Sequence, residues 1–252
     1  MSWASRRQFI IISVICALAA ALIAAVVIPI VYDTPSCTDR KQNQDETGID
    51  CGGSCARVCA VDVLAPSVSF VRPLSPSQGR TDVIAYITNP NRESAATGVR
   101  FTVELYGTDG TVIAKKDGTT DLPPGSTVPV YMPNIFSGNL AVARAFLVFD
   151  PASLIFSKYD DQRIIPRYND DAQIAGTDAP RIVASFSNPS AKVLRDIPVV
   201  ATVFDASGNA IAATQTLLSE LPSQGRAQVI FVWNEAFSAT PARVDVVSVV
   251  PL

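Results

Sequence analysis

Hydrophobic and polar positions divide the chain into three stretches. From Phe9 to Tyr32 no residue is charged, and Ser13 is the only hydroxyl before Tyr32. Roughly 20 apolar residues suffice to cross about 30 Å of hydrocarbon, so residues 9–32 predict one transmembrane helix, preceded by a short segment, 1–8. Residues 33–60 are polar and hold four cysteines. Beyond Ala60 the pattern becomes short alternating or apolar runs broken by Pro, Gly, Asn and Asp, which predicts strands and turns. Arg100 to Leu105 alternates, placing Phe101, Val103 and Leu105 on one face. Asp109-Gly110 then signals a hairpin into Thr111-Val112-Ile113-Ala114.

Charge at the margins of the apolar run gives it a direction. Arg6 and Arg7 precede it, and Tyr32 and Asp33 end it. Basic residues stay cytoplasmic, so the expected topology has the N-terminus inside and everything after Asp33 outside, with Tyr32 at the outer interface. Pro29 could kink the last turn. A cleaved signal peptide is the rival; its apolar core usually ends within about 7–15 residues, and this run is longer. Both readings export the remainder.

The exported part repeats itself. Val83-Ile84-Ala85-Tyr86-Ile87-Thr88-Asn89-Pro90 returns as Ile182-Val183-Ala184-Ser185-Phe186-Ser187-Asn188-Pro189. Leu105 to Gly110 matches Val203 to Gly208, Val112-Ile113-Ala114 matches Ala210-Ile211-Ala212, and Leu122-Pro123-Pro124-Gly125 matches Leu221 to Gly225. Collinear matches at four places, offset by 98 to 100 residues, imply a duplicated unit. About 100 residues of short strands is the size of an immunoglobulin-like sandwich. The order of strands and turns resembles the small Ig-like domains of bacterial and archaeal surface proteins, the FxLYD and CARDB-like groups. The expected fold is therefore an all-β ectodomain of two tandem immunoglobulin-like β-sandwiches, 61–150 and 151–252, behind one transmembrane helix. Asn89 and Asn188 recur before proline and read as turn starters, and Gly125 and Gly225 as turn glycines. The stretch from Pro151 to Asp178 reads as a connection plus the second unit's first strand, its pairs Asp160-Asp161 and Asp170-Asp171 as solvated charge.

Of five cysteines, Cys16 lies in the apolar run, while Cys37, Cys51, Cys55 and Cys59 cluster. Clustered, even-numbered cysteines in an exported chain predict two disulfides, and three pairings are open. If Cys37 joined Cys51, the closed loop would stabilise by about 3 kcal/mol in the chain-entropy model. Four thiolates could instead bind zinc, but structural zinc sites favour short C-x2-4-C pairs with a long spacer. The pattern formed by Cys37, Asp39, Asn43, Glu46, Asp50, Cys51, Gly52, Gly53, Cys55 and Cys59 resembles short cysteine-rich segments of prokaryotic cell-surface proteins, which implies an extracytoplasmic setting. Cys55 and Cys59 stand four apart, wider than the pair that closes that pattern. Asp39, Asn43, Asp45, Glu46 and Asp50 could supply oxygens to Ca²⁺, although their spacing departs from the EF-hand loop.

Composition narrows the function classes. The two arginines ahead of the run leave 18 basic against 23 acidic residues after it, which gives no electrostatic reason for a nucleic-acid partner. Histidine is absent, removing imidazole bases and ligands. No G-x-S-x-G, phosphate-cradling glycine loop or H-E-x-x-H occurs, so the expectation is no enzyme, no catalytic residues and no cofactor beyond a possible Ca²⁺. The functions expected are a structural or scaffolding component of the cell envelope that contacts the bilayer through 9–32 and docks envelope or surface proteins or, alternatively, a surface module recognising a glycan, an ion or another cell. Trp233, the one tryptophan beyond Trp3, favours the scaffold, because glycan readers usually show several aromatics.

Overall fold

The computed structural model describes residues 3–31, 36–77, 79–138 and 140–252. It forms two compact units, Met1–Cys55 and Ala56–Leu252.

The first unit opens with helix α1 (Trp3–Val31). From Phe9 on it is apolar all round, so that stretch has no polar face to turn to water. None of its described side chains is buried, so its apolar surface is not spent on a protein core. Its segment Ser5–Ile28 is long and apolar enough to cross a membrane. Tyr32, assigned to the outer interface, and Asp33, which ends the run, lie outside the described residues.

The second unit is built of strands. Its first half contains β1 (Ser67–Ser77), β2 (Arg80–Thr88), β3 (Ser94–Gly107), β4 (Val112–Leu122), β5 (Thr127–Phe136), β6 (Val142–Phe149) and β7 (Ser157–Lys158). Its second half contains β8 (Arg167–Tyr168), β9 (Gln173–Ala175), β10 (Arg181–Ser187), β11 (Leu194–Phe204), β12 (Ala210–Leu221), β13 (Arg226–Val232) and β14 (Arg243–Ser248). Pairing is antiparallel, in sheets ordered β1-β2-β5, β4-β3-β6, β13-β10-β8 and β12-β11-β14; β7 adds to β3 and β9 to β10. The two halves use the same order, with β10 to β14 in the places of β2 to β6. The connecting stretch supplies β8 and β9, two short pieces along β10.

Three apolar layers hold these four sheets face to face. The first, including Val83, Ile87, Phe101, Val103, Leu105 and Phe156, lies between β1-β2-β5 and β4-β3-β6. The second, including Ile182, Phe186, Val199, Val203 and Phe231, lies between β13-β10-β8 and β12-β11-β14. The third joins the halves: Leu74 and Ile84 on one side meet Val200, Phe204, Ala210 and Ala213 on the other. Here Phe70 stacks on Tyr86 and meets Phe204 edge-on, with ring centroids 4.9 and 6.0 Å apart. The Tyr86 hydroxyl crosses the layer to donate to Thr202 Oγ1 at 3.1 Å. Burial holds that phenol's pKa above its ordinary value. The repeats thus pack flank to flank through the faces of their sheets.

The alternation predicted for Arg100 to Leu105 is realised in β3, where Phe101, Val103 and Leu105 face the first core. The Asp109-Gly110 hairpin also forms: Gly107 N donates to Thr111 O, and Asp109 Oδ1 accepts from Thr111 N and Oγ1. Asn89 and Asn188 do more than start turns. Both are buried, and Asn89 Nδ2 donates to Ser94 O, Leu122 O and Pro123 O, while Asn188 Nδ2 donates to Lys192 O, Leu221 O and Pro222 O. Each amide ties one turn to the strand end beside it.

Candidate functional site

The cysteine segment is polar, and covalent bonds and backbone turns shape it in place of a hydrophobic core. All four cysteines are disulfide-bonded, and Cys37 bonds to Cys55 rather than to Cys51. That closes a loop of sequence separation 18, worth about 3 kcal/mol in the chain-entropy model. Bonded sulfurs offer no thiolate to zinc. The only free cysteine among the described residues is Cys16, within α1. Gly52 and Gly53 have φ of 77° and 52°, and a Cβ on them would lie 1.8 Å from Thr47 Oγ1 and 2.0 Å from Asp45 O. The glycine pair after Cys51 is therefore required by space as well as by backbone angle.

The five residues singled out as oxygen donors all fall in this loop, and their oxygens are largely engaged within it. Asp39 Oδ2 accepts from Asn43 Nδ2 at 2.7 Å and from Ser36 N, and its Oδ1 from Lys41 N. The Asn43 amide, followed by the Lys41 N–H, holds the Asp39 carboxyl below its ordinary pKa. Asp50 takes both its hydrogen bonds from Arg40 N, and Asp45 Oδ1 accepts from Ser54 Oγ. Glu46 is buried; its Oε2 accepts from Asn43 N, and its Oε1 lies 3.2 Å from Cys55 Sγ. That sulfur carries no proton, so the contact is packing of a carboxylate on a disulfide. Asn43 Oδ1 is buried without a partner. Among the described residues, one group of three ligand-type side chains draws within 4.8 Å, Cys37, Glu46 and Cys55, and two of its three atoms are spent on the disulfide.

At least one member of each acidic pair in the connecting stretch has a structural partner. Arg163 donates through Nε and Nη2 to Asp161, both at 2.8 Å, and through Nη1 to Val250 O. Asp171 accepts from Ser185 N and from its hydroxyl. Trp233 follows β13, packs on the second core and stands edge-on to Phe237, with ring centroids 5.2 Å apart.

Sequence reasoning missed a cleft of about 650 Å³ at one margin of the middle layer. Asp82 lies in its wall, buried and accepting from the Tyr131 hydroxyl and from Asn134 N. Asn134 adopts φ of 58° at the bulge where β2 and β5 shift register. Burial, followed by the hydrogen bond to Asp82, raises the Tyr131 pKa. An acidic residue directly ahead of the apolar run Val83 to Ile87 was the available signal.

The chain is thus defined as a mostly β protein with one membrane-length apolar helix and a disulfide-stapled loop. No protein-family model matches it, and no curated protein matches it. Among solved structures, red sea bream transglutaminase is similar over 73% of this chain and 29% of its own, at 15% identity and a TM-score of 0.24. The tandem CBM22-1-CBM22-2 domain of Paenibacillus barcinonensis Xyn10C is similar over 73% and 83%, at 7% identity and a TM-score of 0.15. This chain spans less than a third of the transglutaminase chain. Likeness this low assigns neither fold nor function.

Proposed function

We propose that this chain is a single-pass membrane protein whose two tandem Ig-like sandwiches form a rigid, non-catalytic scaffold on the outer side of the membrane. The observation that carries the reading is α1: a membrane-length helix, apolar on every side from Phe9 on, with none of its described side chains buried. Arg6 and Arg7 in its first turns favour a cytoplasmic N-terminus, and disulfides fit an oxidising exterior. Rigidity follows from the middle layer, which removes the hinge that a flexible linker would leave between repeats. Its partners are envelope or surface proteins that meet the outer sheets. Any Ca²⁺ bound by the cysteine loop is structural, because that loop's oxygens already serve its turns.

The test is protease accessibility of a C-terminally tagged full chain in sealed cells, with the N-terminus of the mature protein sequenced. Loss of the tagged fragment and an intact Met1 end support the reading. A tag protected from protease, or a new N-terminus beyond the helix, overturns it. Crosslinking in intact membranes then identifies what the outer faces touch; a chain that crosslinks to nothing is no scaffold.

A further inference from the structure

The cleft beside the middle layer has a lining that its structural duties do not require. β1 and β2 contribute Arg72, Arg80 and Asp82, and the loop after β13 contributes Trp233, Glu235 and Phe237. Arg80 Nη1 donates to Asn134 Oδ1 at 3.1 Å, in the same bulge whose N–H bonds Asp82. No ion pair joins Asp82 among the described residues, and the Trp233 Nε1–H is buried without an acceptor. The second half serves as an internal control. There Arg181 takes the place of Asp82, and Ile230, paired with Val183, takes that of Tyr131, paired with Ile84. The same strand pair therefore forms without a buried carboxylate or a phenol.

Two guanidinium groups face two carboxylates, so the lining selects no net charge. An anion would meet Asp82 and Glu235, and a cation would meet Arg72 and Arg80. An apolar guest would desolvate all four without replacing their hydrogen bonds. A hydroxyl group satisfies both sets, since it donates to a carboxylate and accepts from a guanidinium. The edge-on Trp233 and Phe237 rings offer an apolar patch for the C–H face of a sugar ring. The volume falls in the range of small-molecule sites, about 300–1,000 Å³. We propose that this cleft binds a neutral carbohydrate of one or two rings. The proposal stands independently of the scaffold reading, since a scaffold needs no such site.

Trp233 supplies the readout. In the full chain in lipid nanodiscs, Trp3→Phe leaves Trp233 as the sole tryptophan. Maltose and N-acetylglucosamine are the probes, with L-alanine as a zwitterionic comparison. The expected result is a saturable change in Trp233 emission with at least one sugar, in the millimolar range. Arg72 and Glu235 are exposed, so Arg72→Ala and Glu235→Ala keep the fold, as their melting temperatures will report. Each weakens binding by about fivefold or more, as loss of a charged hydrogen bond requires. No saturable change with either sugar up to about 50 mM, saturation by L-alanine alone, or full affinity retained in both variants overturns the proposal.

Discussion

The outer faces of β4-β3-β6 and β12-β11-β14 are the same surface in two copies, yet one meets water and the other is buried. On the first, Thr102, Glu104 and Tyr106 of β3 stand beside Lys115 and Asp117 of β4. Glu104 accepts from both Lys115 and the Tyr106 hydroxyl, and Thr102 donates to Asp117 at 2.7 Å. On the second, the corresponding places hold Val200, Thr202 and Phe204, with Ala213 and Gln215 alongside. All but Gln215 are buried, and the face packs on β1-β2-β5. Four of these places thus distinguish the outer wall from the inner layer. The charged version also ends the stack, because a further sheet laid on it would have to desolvate Glu104, Lys115 and Asp117.

Exchanging one residue between the two faces is the strongest way to break the comparison. Ala213→Lys drives a charged and much larger side chain into the packed middle layer, at the wall of the cleft that holds Asp82. It is expected to cost about 3 kcal/mol in urea unfolding, through overpacking and burial of charge. The reciprocal Lys115→Ala, on the solvated face, leaves the unfolding midpoint nearly unchanged. Equal effects would mean that the middle layer contributes little to stability and that the halves behave as independent bodies.

The second test compares equivalent turns. Asn89→Ala and Asn188→Ala each strip three carbonyls of a buried donor. Each is expected to cost about 3 kcal/mol, several partly unsatisfied groups together. Similar losses at both places would show that the repeats keep the same latch. A loss at one alone would show that they have diverged in what holds them.

Much of this was legible in the sequence, and the missed part has a physical cause. Strand alternation, hairpin glycines and the repeat are local signals, and α1 is written in composition. The middle layer is not local, since it depends on which faces of two distant strands meet. Its trace lay in the aligned repeats: Val199 to Phe204 is nearly continuous in apolar residues, whereas Phe101 to Tyr106 alternates. A strand buried on both faces loses its alternation, and β2 shows the same from Thr81 to Ala85. The cysteine loop was harder to read, because the Cys37–Cys55 bridge closes a loop with left-handed backbone at Arg40, Gln44 and Asp50, which residue types do not specify.

A finer test concerns the tyrosine that crosses the middle layer. Tyr86→Phe keeps the stack on Phe70 and removes only the hydrogen bond to Thr202, which is fully buried. About 1 kcal/mol is expected, somewhat more if the Thr202 hydroxyl finds no other partner. Tyr106→Phe on the solvated face removes a bond to Glu104 that Lys115 already shares. Its unfolding midpoint should not move measurably.

The smallest effect separates two Asp–Arg pairs by pH. Arg163 holds the Asp161 carboxyl below its ordinary value of 3.8 through two hydrogen bonds, and Arg100 does the same for Asp150. In both, the folded-state pKa lies below the unfolded one. The stabilisation is therefore complete above the ordinary carboxylate pKa and is lost as pH falls through the depressed value. The pairs differ in solvent access: the Arg163 and Asp161 side chains are 10% and 29% exposed, against 59% and 40% for Arg100 and Asp150. Arg163 also ties down Val250 O at 2.6 Å, so its orientation is fixed in advance. Asp161→Asn should therefore lower stability at pH 7 by about 0.5–1 kcal/mol after allowance for solvent screening. The gap to the parent should close as pH falls through the depressed Asp161 pKa, where the parent carboxylate is protonated too. Asp150→Asn should show a smaller gap that closes in the same direction, because water screens its more exposed pair. A gap for Asp161→Asn that persists unchanged at low pH would assign the loss to packing of the connecting stretch, and the charge pair would have no part in it.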